Sequence, residues 1–211
     1  NKYELGEDVY IDESGEVVVS LYIYWSYLKT RISFEFEPSI VTNYTAQDMI
    51  EGVDWSNSWF YKTSPNYIEV SFNTNIKINA PKLDGYGFFK FVISQKNIDG
   101  IWLTDAVAYT DSIPWSTNDY DKIVECNIKL VYFAQIEVET FGGEGSFNII
   151  QDYTEPQAKT MLEKGYADTS KTCSIEAVPA DGYDFAYWTD LSTNVRYSTK
   201  ILTNLSIKQK T

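Results

Sequence analysis

The sequence predicts an all-β to α+β chain: an antiparallel β-sandwich first, then a small β unit carrying one short helix. Three observations lead there. Aromatic residues make up 16% of the 211 positions, with 17 Tyr, 11 Phe and 6 Trp, and Tyr, Phe, Trp, Val and Ile favour pleated, half-buried surfaces. Apolar and polar side chains alternate with a period of two along the first half, in runs spaced as in a two-sheet domain. Helical periodicity is weak outside residues 153–165, apart from a short turn expected at residues 46–51.

In the first run, Val17, Val19, Leu21 and Ile23 point one way, with Val18, Ser20, Tyr22 and Tyr24 opposite. In residues 31–37, Ile32, Phe34 and Phe36 face a core while Arg31, Ser33, Glu35 and Glu37 face out. Pro38 ends that strand because proline cannot donate to a ladder. Further strands are expected at 40–44, 57–62, 67–73, 86–94, 101–109 and 123–133. In 67–73 the inward set is Ile68, Val70 and Phe72, leaving Tyr67, Glu69, Ser71 and Asn73 exposed. The chain is expected to divide into residues 1–133 and 134–211. Tyr132-Phe-Ala-Gln-Ile-Glu-Val-Glu-Thr140 runs from the last sandwich strand into the first strand of the second unit with no Gly-, Ser- or Pro-rich spacer. The two units should therefore hold a near-fixed orientation.

Inside the second unit, Thr154-Glu-Pro-Gln157 reads as a capping box with Pro156 in the first turn. Ala158, Met161 and Leu162 share one helical face and Gly165 stops the helix, which lies near 155–164 and covers one sheet face. Residues 172–188 read as a buried strand, a tight Pro-Ala-Asp-Gly turn with Gly182 in the left-handed conformation, and a second strand ending on aromatics.

The chain has no His, which removes Ser-His-Asp and Cys-His catalysis and most zinc sites. A carboxylate pair of the glycosidase type would need acids such as Glu35 and Glu37, or Asp54 beside Trp55 and Trp59. Acids on a solvated strand are the ordinary case, and no enzyme activity is expected. Residues 95–100 place Asn97, Asp99 and Gly100 as in a calcium loop, but Gln95 and Ala106 hold the positions where charge matters. The spacing of Asp105, Asp111, Asp119 and Asp121 requires no ion, so neither metal nor cofactor is expected. The net charge of −13 argues against nucleic acid and against an anionic membrane surface, and favours a neutral or basic partner. No apolar run is long enough to span a bilayer and no signal peptide is visible; a start at Asn1 is expected of a mature or trimmed chain. Cys126 and Cys173 read as buried small apolar residues, with a bridge between them left open.

Ala177, Pro179, Ala180, Gly182, Tyr183, Phe185 and Trp188, with Gly-Gly-Glu-Gly at 142–145 and the run 201–207, resemble the divergent internalin-type B-repeat. That family's core reads A-x-P-A-x-G-Y-x-F-x-x-W. The resemblance implies a β-grasp-like fold, a secreted or surface-attached bacterial protein, and an adhesive or scaffolding role without catalysis. The first half is similar to a cohesin module, a sandwich of jelly-roll or immunoglobulin-like type. The similarity runs through Gly15-Glu-Val-Val-Val, Ile32-Ser-Phe-Glu-Phe-Glu-Pro-Ser-Ile40, Tyr67-Ile-Glu-Val-Ser-Phe, Asp84-Gly-Tyr-Gly-Phe-Phe-Lys-Phe-Val and Ile101-Trp-Leu-Thr-Asp-Ala-Val-Ala. Glu37 stands where that family has Asp, and Ile40 where it has Leu.

The cohesin resemblance implies a protein partner, dockerin-like or another surface protein, bound on the face made by strands at 30–37, 57–62, 67–73 and 101–109. Arg31, Ser33, Glu35, Tyr67, Glu69 and Ser71 would project from it, with Trp59 or Tyr61 according to register, and a slip of one residue would invert the choice. Aromatics 55–61 either stack on sugar rings or plug the end of the sandwich, and Trp102 and Trp115 carry the same two readings. The expectation is a monomeric, non-catalytic extracellular module for protein recognition. The alternatives are a carbohydrate-binding module acting on a polysaccharide and a ligand-free stalk or adhesin segment.

Overall fold

A computed structural model describes residues 5–11, 17–23, 29–40, 43–56, 61–72, 74–116 and 122–207. In the first half the strands are β1 (Leu5–Ile11), β2 (Val17–Ile23), β3 (Lys29–Glu37), β4 (Ile50–Glu51), β5 (Tyr61–Ser64) and β6 (Tyr67–Ser71). They continue with β7 (Asn75–Asn79), β8 (Tyr86–Asn97), β9 (Ala106–Ala108), β10 (Ser112–Ser116) and β11 (Ile123–Gln135). The second half holds β12 (Gly145–Ile150), α1 (Pro156–Glu163), β13 (Tyr166–Ala167), β14 (Thr172–Pro179), β15 (Trp188–Thr189), β16 (Arg196–Tyr197) and β17 (Ile201–Ser206). The chain is mostly β with one short helix, as its residue pattern predicts. Among the described residues no helix is long and apolar enough to cross a membrane.

A large sheet runs in the order β5-β6-β3-β11-β8-β9, and β13 pairs with the end of β11. A smaller sheet, β10-β7-β4, supplies Ile50, Ile76, Ile78 and Ile113 to a common core with Ile32, Ile68, Val70, Phe91, Ile93, Cys126, Ile128 and Leu130 of the large one. Period two explains the layering: each of these strands sends alternate residues into the shared core. The pairing of β3 with β11 is parallel rather than antiparallel. The long excursion through the small sheet that lies between them makes this arrangement reachable, since parallel neighbours need a crossover and not a hairpin.

Two sequence expectations are corrected in this half. No strand forms over the described part of 40–44. The Thr45 N–H and hydroxyl both donate to the Asp48 carboxylate at 2.7 Å, holding a turn that buries Ala46 and Met49. The expected strand at 101–109 shrinks to β9, with Trp102 bridged singly to Lys96. A turn at Gly100 (φ +82°), tied by Ile101 N–H to Asn97 Oδ1 at 2.9 Å, leads into it, and after Leu103 N–H donates to the Gln95 carbonyl at 2.8 Å the strand lapses until Ala106. Of the strand expected at 57–62, residues 57–60 lie outside the described residues, and Tyr61 and Lys62 belong to β5.

In the second half, β12, β14 and β17 form an antiparallel sheet with α1 over one face. Ile149, Leu162, Ala167 and Cys173 are its buried centre. The first strand of this sheet is Gly145–Ile150 and not the continuation of 132–140, because β11 stops at Gln135. The turn after β14 forms as expected, with Tyr183 N–H donating to the Ala180 carbonyl at 3.0 Å and Gly182 at φ +85°. The strand expected after it is reduced to β15.

A register shift in the β8–β11 pairing inserts Phe89 between Phe88 and Lys90. A bulge of this kind sends both Phe89 and Lys90 to the outer face. There Phe89 and Phe133 pack against Ala158 of α1 and Tyr153, with ring centroids 4.6 Å apart for Phe89–Phe133 and 5.5 Å for Phe133–Tyr153. A Cβ at Gly87 would lie 2.6 Å from Met161 and 3.1 Å from Tyr166, so the absent side chain admits the helix.

The capping box does not form. Glu155 is the N-cap and makes no side-chain cap bond. Its carboxylate instead accepts from Lys90 Nζ and Tyr109 Oη, both at 3.1 Å, which ties the helix to β8. The Lys90 hydrogen bond, followed by that from Tyr109, holds the Glu155 carboxyl below its ordinary value of 4.5. A depressed carboxyl stabilises the fold above its ordinary pKa and loses that contribution as pH falls through the folded value. Glu155→Gln is therefore expected to cost less than about 1 kcal/mol of stability at pH 7, with a slightly lower Tm, and to converge with the parent as pH falls through the carboxyl's folded value, which lies below 4.5. A thermal series against pH measures the gap; a gap that widens on acidification would contradict the assignment.

Candidate binding face

The inner face of the large sheet is core, and the end of its outer face is covered by α1 and Tyr153. Among the described residues nothing else covers the outer face from β6 across β3 and β11 to β8. The register fixes its rows: Glu69, Arg31, Glu125 and Lys96 stand side by side, and so do Tyr67, Ser33, Asn127 and Ser94. Glu35, Lys129 and Val92 form the next row, with Val107 of β9 beyond them.

Charges on this face are tied across the strands. Arg31 Nη2 reaches Glu69 Oε1 at 2.9 Å and its guanidinium lies 4.5 Å over the Tyr67 ring. Lys129 Nζ lies 3.0 Å from Glu37 and Lys96 Nζ 3.8 Å from Glu125. The Glu37 hydrogen bond, with Glu35 and Asp105 nearby, raises the Lys129 pKa. Ser33 Oγ donates to Asn127 Oδ1, and Ser94 Oγ to Asp105 Oδ1 at 2.7 Å. Exposed pairs of this kind contribute only about 0–1 kcal/mol each to stability. Their larger effect is to hold long side chains in one geometry, which lowers the entropy cost of meeting a partner.

Of the residues singled out from the sequence, Arg31, Ser33, Glu35, Tyr67 and Glu69 come together on this face. Ser71 does not project: it is 3% exposed at the end of β6, where Thr74 Oγ1 donates back to the Ser71 carbonyl at 2.8 Å. Tyr61 stands opposite Val70 in the register; its side chain, and all of Trp59, lie outside the described residues. The strand at 101–109 is not next to β3, because β11 and β8 separate them.

Sequence reasoning missed the middle of the face, namely Glu125, Asn127 and Lys129 on β11 and Ser94 and Lys96 on β8. The alternation of 125, 127 and 129 with Cys126, Ile128 and Leu130 was the available signal. Among the aromatics, Trp55 and Trp115 pack on the core, whereas Trp102 is 48% exposed beside Lys96, whose Nζ lies 5.5 Å from its ring centroid. Among the described residues no acidic or sulfur cluster with metal-binding geometry occurs. Both cysteines are free and buried, and burial pushes the Cys126 thiol up to about 12.

Residues 156–210, roughly a quarter of the chain, match the family model of the divergent InlB B-repeat domain. The match begins with α1 and ends just beyond β17, so it covers the helix and two of the three strands of the second sheet. No curated protein and no solved structure matches the chain.

Proposed function

We propose that the chain is a non-catalytic binding module of a bacterial surface or secreted protein, recognising a protein partner through the open outer face of the large sheet. One observation carries the reading. Among the described residues a polar sheet face stays uncovered while most of its charged side chains are tied in cross-strand pairs, an arrangement with little value for stability and direct value for recognition. The match of residues 156–210 to the divergent B-repeat supports the surface setting, with the second unit bracing the sandwich through Phe133, Tyr153 and Glu155. The absence of His from the sequence and the high thiol pKa at Cys126 support a role without covalent chemistry. The cohesin-like, dockerin-binding version of this reading rests on sequence resemblance alone.

The test is Glu35→Lys with Glu69→Lys. Surface capture of partner proteins by the immobilised chain should fall at least about tenfold, equivalent to about 1.4 kcal/mol, while Tm moves by less than about 3 °C. Equal capture by both proteins removes this face from consideration.

The exposure of Trp102 favours a second reading, stacking on a polysaccharide. Soluble polysaccharides should then quench tryptophan fluorescence, and Trp102→Ala should abolish the saturable part. No saturable quenching in the parent protein eliminates the sugar.

A further inference from the structure

We propose that the outer edge of β12 is a strand-addition site for an extended peptide of a partner protein, with apolar side chains at alternate positions and basic residues at its ends. β12 is the terminal strand of the sheet β12-β14-β17. Its even-numbered residues bond towards β14, as the neighbouring Glu144 carbonyl does by accepting from Ala180 N–H at 3.0 Å, while Ala177 N–H turns the other way, to Lys200 on the β17 side. Alternation therefore leaves the N–H and C=O of Gly145, Phe147 and Ile149 pointing outward. Among the described residues no other segment hydrogen-bonds to that edge.

Edges of this kind are normally blunted by charge, proline, distortion or brevity, and the other edges of the three larger sheets are. β5 carries Lys62, β10 carries Pro114, β17 contains Asn204 at φ +56°, and β4 and β9 have 2 and 3 residues. β12, Gly-Ser-Phe-Asn-Ile-Ile, has none of these devices. An open groove of about 520 Å³ lies over the paired ends of β12 and β14, from Thr140 and Glu144 across Ser146 to Val178 and Ala180. The outward N–H and C=O groups of Gly145, Phe147 and Ile149 are what an added strand uses for affinity.

Charge selects the occupant. Residues 130–158 hold five acids and no Lys or Arg. Glu155 is paired with Lys90, and Lys171 lies over the Asp152 carbonyl at 3.3 Å. Glu137, Glu139 and Glu144 are exposed and make no ion pair among the described residues. A second copy of β12 would bring the same acids together, whereas a basic-ended strand meets them with opposite charge.

The test uses the whole chain and two capped synthetic peptides, Lys-Thr-Val-Thr-Val-Thr-Lys and its counterpart with Glu at both ends, with amide hydrogen exchange followed by NMR. The Lys-ended peptide is expected to slow exchange at Phe147 and Ile149 at least about tenfold, leaving Ser146 and Asn148 unchanged because they already bond to β14. The Glu-ended peptide should do nothing, and Glu139→Lys with Glu144→Lys should reverse the preference. Unchanged exchange with both peptides overturns the proposal, as does a preference that the charge swap leaves intact. Slowing without peptide that grows with protein concentration assigns the edge to a second copy, and overturns it too.

Discussion

Replacing Phe133 with alanine is expected to cost about 3–5 kcal/mol of folding stability. The side chain is 1% exposed and sits between the end of the large sheet and the helix, against Phe89, Tyr153 and Ala158. Removing it opens a cavity that the β8 bulge on one side and the helix backbone on the other cannot close. The loss also has a location. Phe133 belongs to β11 but packs on the second unit, so the variant should separate unfolding of the β12-β14-β17 sheet from that of the sandwich. Urea unfolding followed by tryptophan fluorescence and by amide exchange at β14 should coincide in the parent and diverge in Phe133→Ala. Phe147→Ala, which disturbs the second core alone, provides the comparison. A cost under about 1 kcal/mol for Phe133→Ala with coincident transitions would mean the junction is not a packed interface.

Strands with one buried face were legible because period two is a local signal. β3, β6, β8 and β11 all declare their inward residues within a few positions, and Ile32, Ile68, Val70, Ile128 and Leu130 are in the core. What stayed hidden was long-range or depended on hydrogen bonds. The parallel alliance of β3 and β11 joins residues near 31 and 125, and nothing within either strand encodes its neighbour. The Asp48 carboxylate outcompeted strand pairing at 43–45 through two bonds to Thr45. A glutamate that fits no capping box emerged as a link between units, because Lys90 is distant in sequence and close in space.

The candidate face divides the same way. Arg31, Ser33 and Glu35 follow from alternation, and Tyr67 and Glu69 from the same rule on the partner strand. Asn127 and Lys129 had the same pattern and were passed over, because only sheet order reveals that β11 lies between β3 and β8. Ser71 failed through its place at the strand end, where the following turn folds back on it. Periodicity names which side a residue faces; what lies over that side is a property of the whole chain.

Gly145→Ala tests whether the Gly-Gly-Glu-Gly segment, which lies outside the B-repeat match, is part of the second fold. A Cβ there would stand 2.7 Å from the Val178 carbonyl oxygen and 3.1 Å from Pro179 Cα. Both are backbone atoms of β14, so no rotamer relieves the contact and β12 must shift; the expected cost is about 1–3 kcal/mol. Gly182 is a glycine for the opposite reason. Nothing lies within 4 Å of its Cβ position, but φ is +85°, so alanine there costs about 1–2 kcal/mol through conformation alone. Asparagine separates the two cases, since it tolerates the left-handed region yet keeps a Cβ. Gly182→Asn should recover most of the loss seen with alanine, whereas Gly145→Asn should be at least as damaging as Gly145→Ala. Chemical denaturation of the four variants decides it: rescue by asparagine at 145, or a neutral Gly145→Ala, would show that β12 does not approach β14 as closely as the register requires.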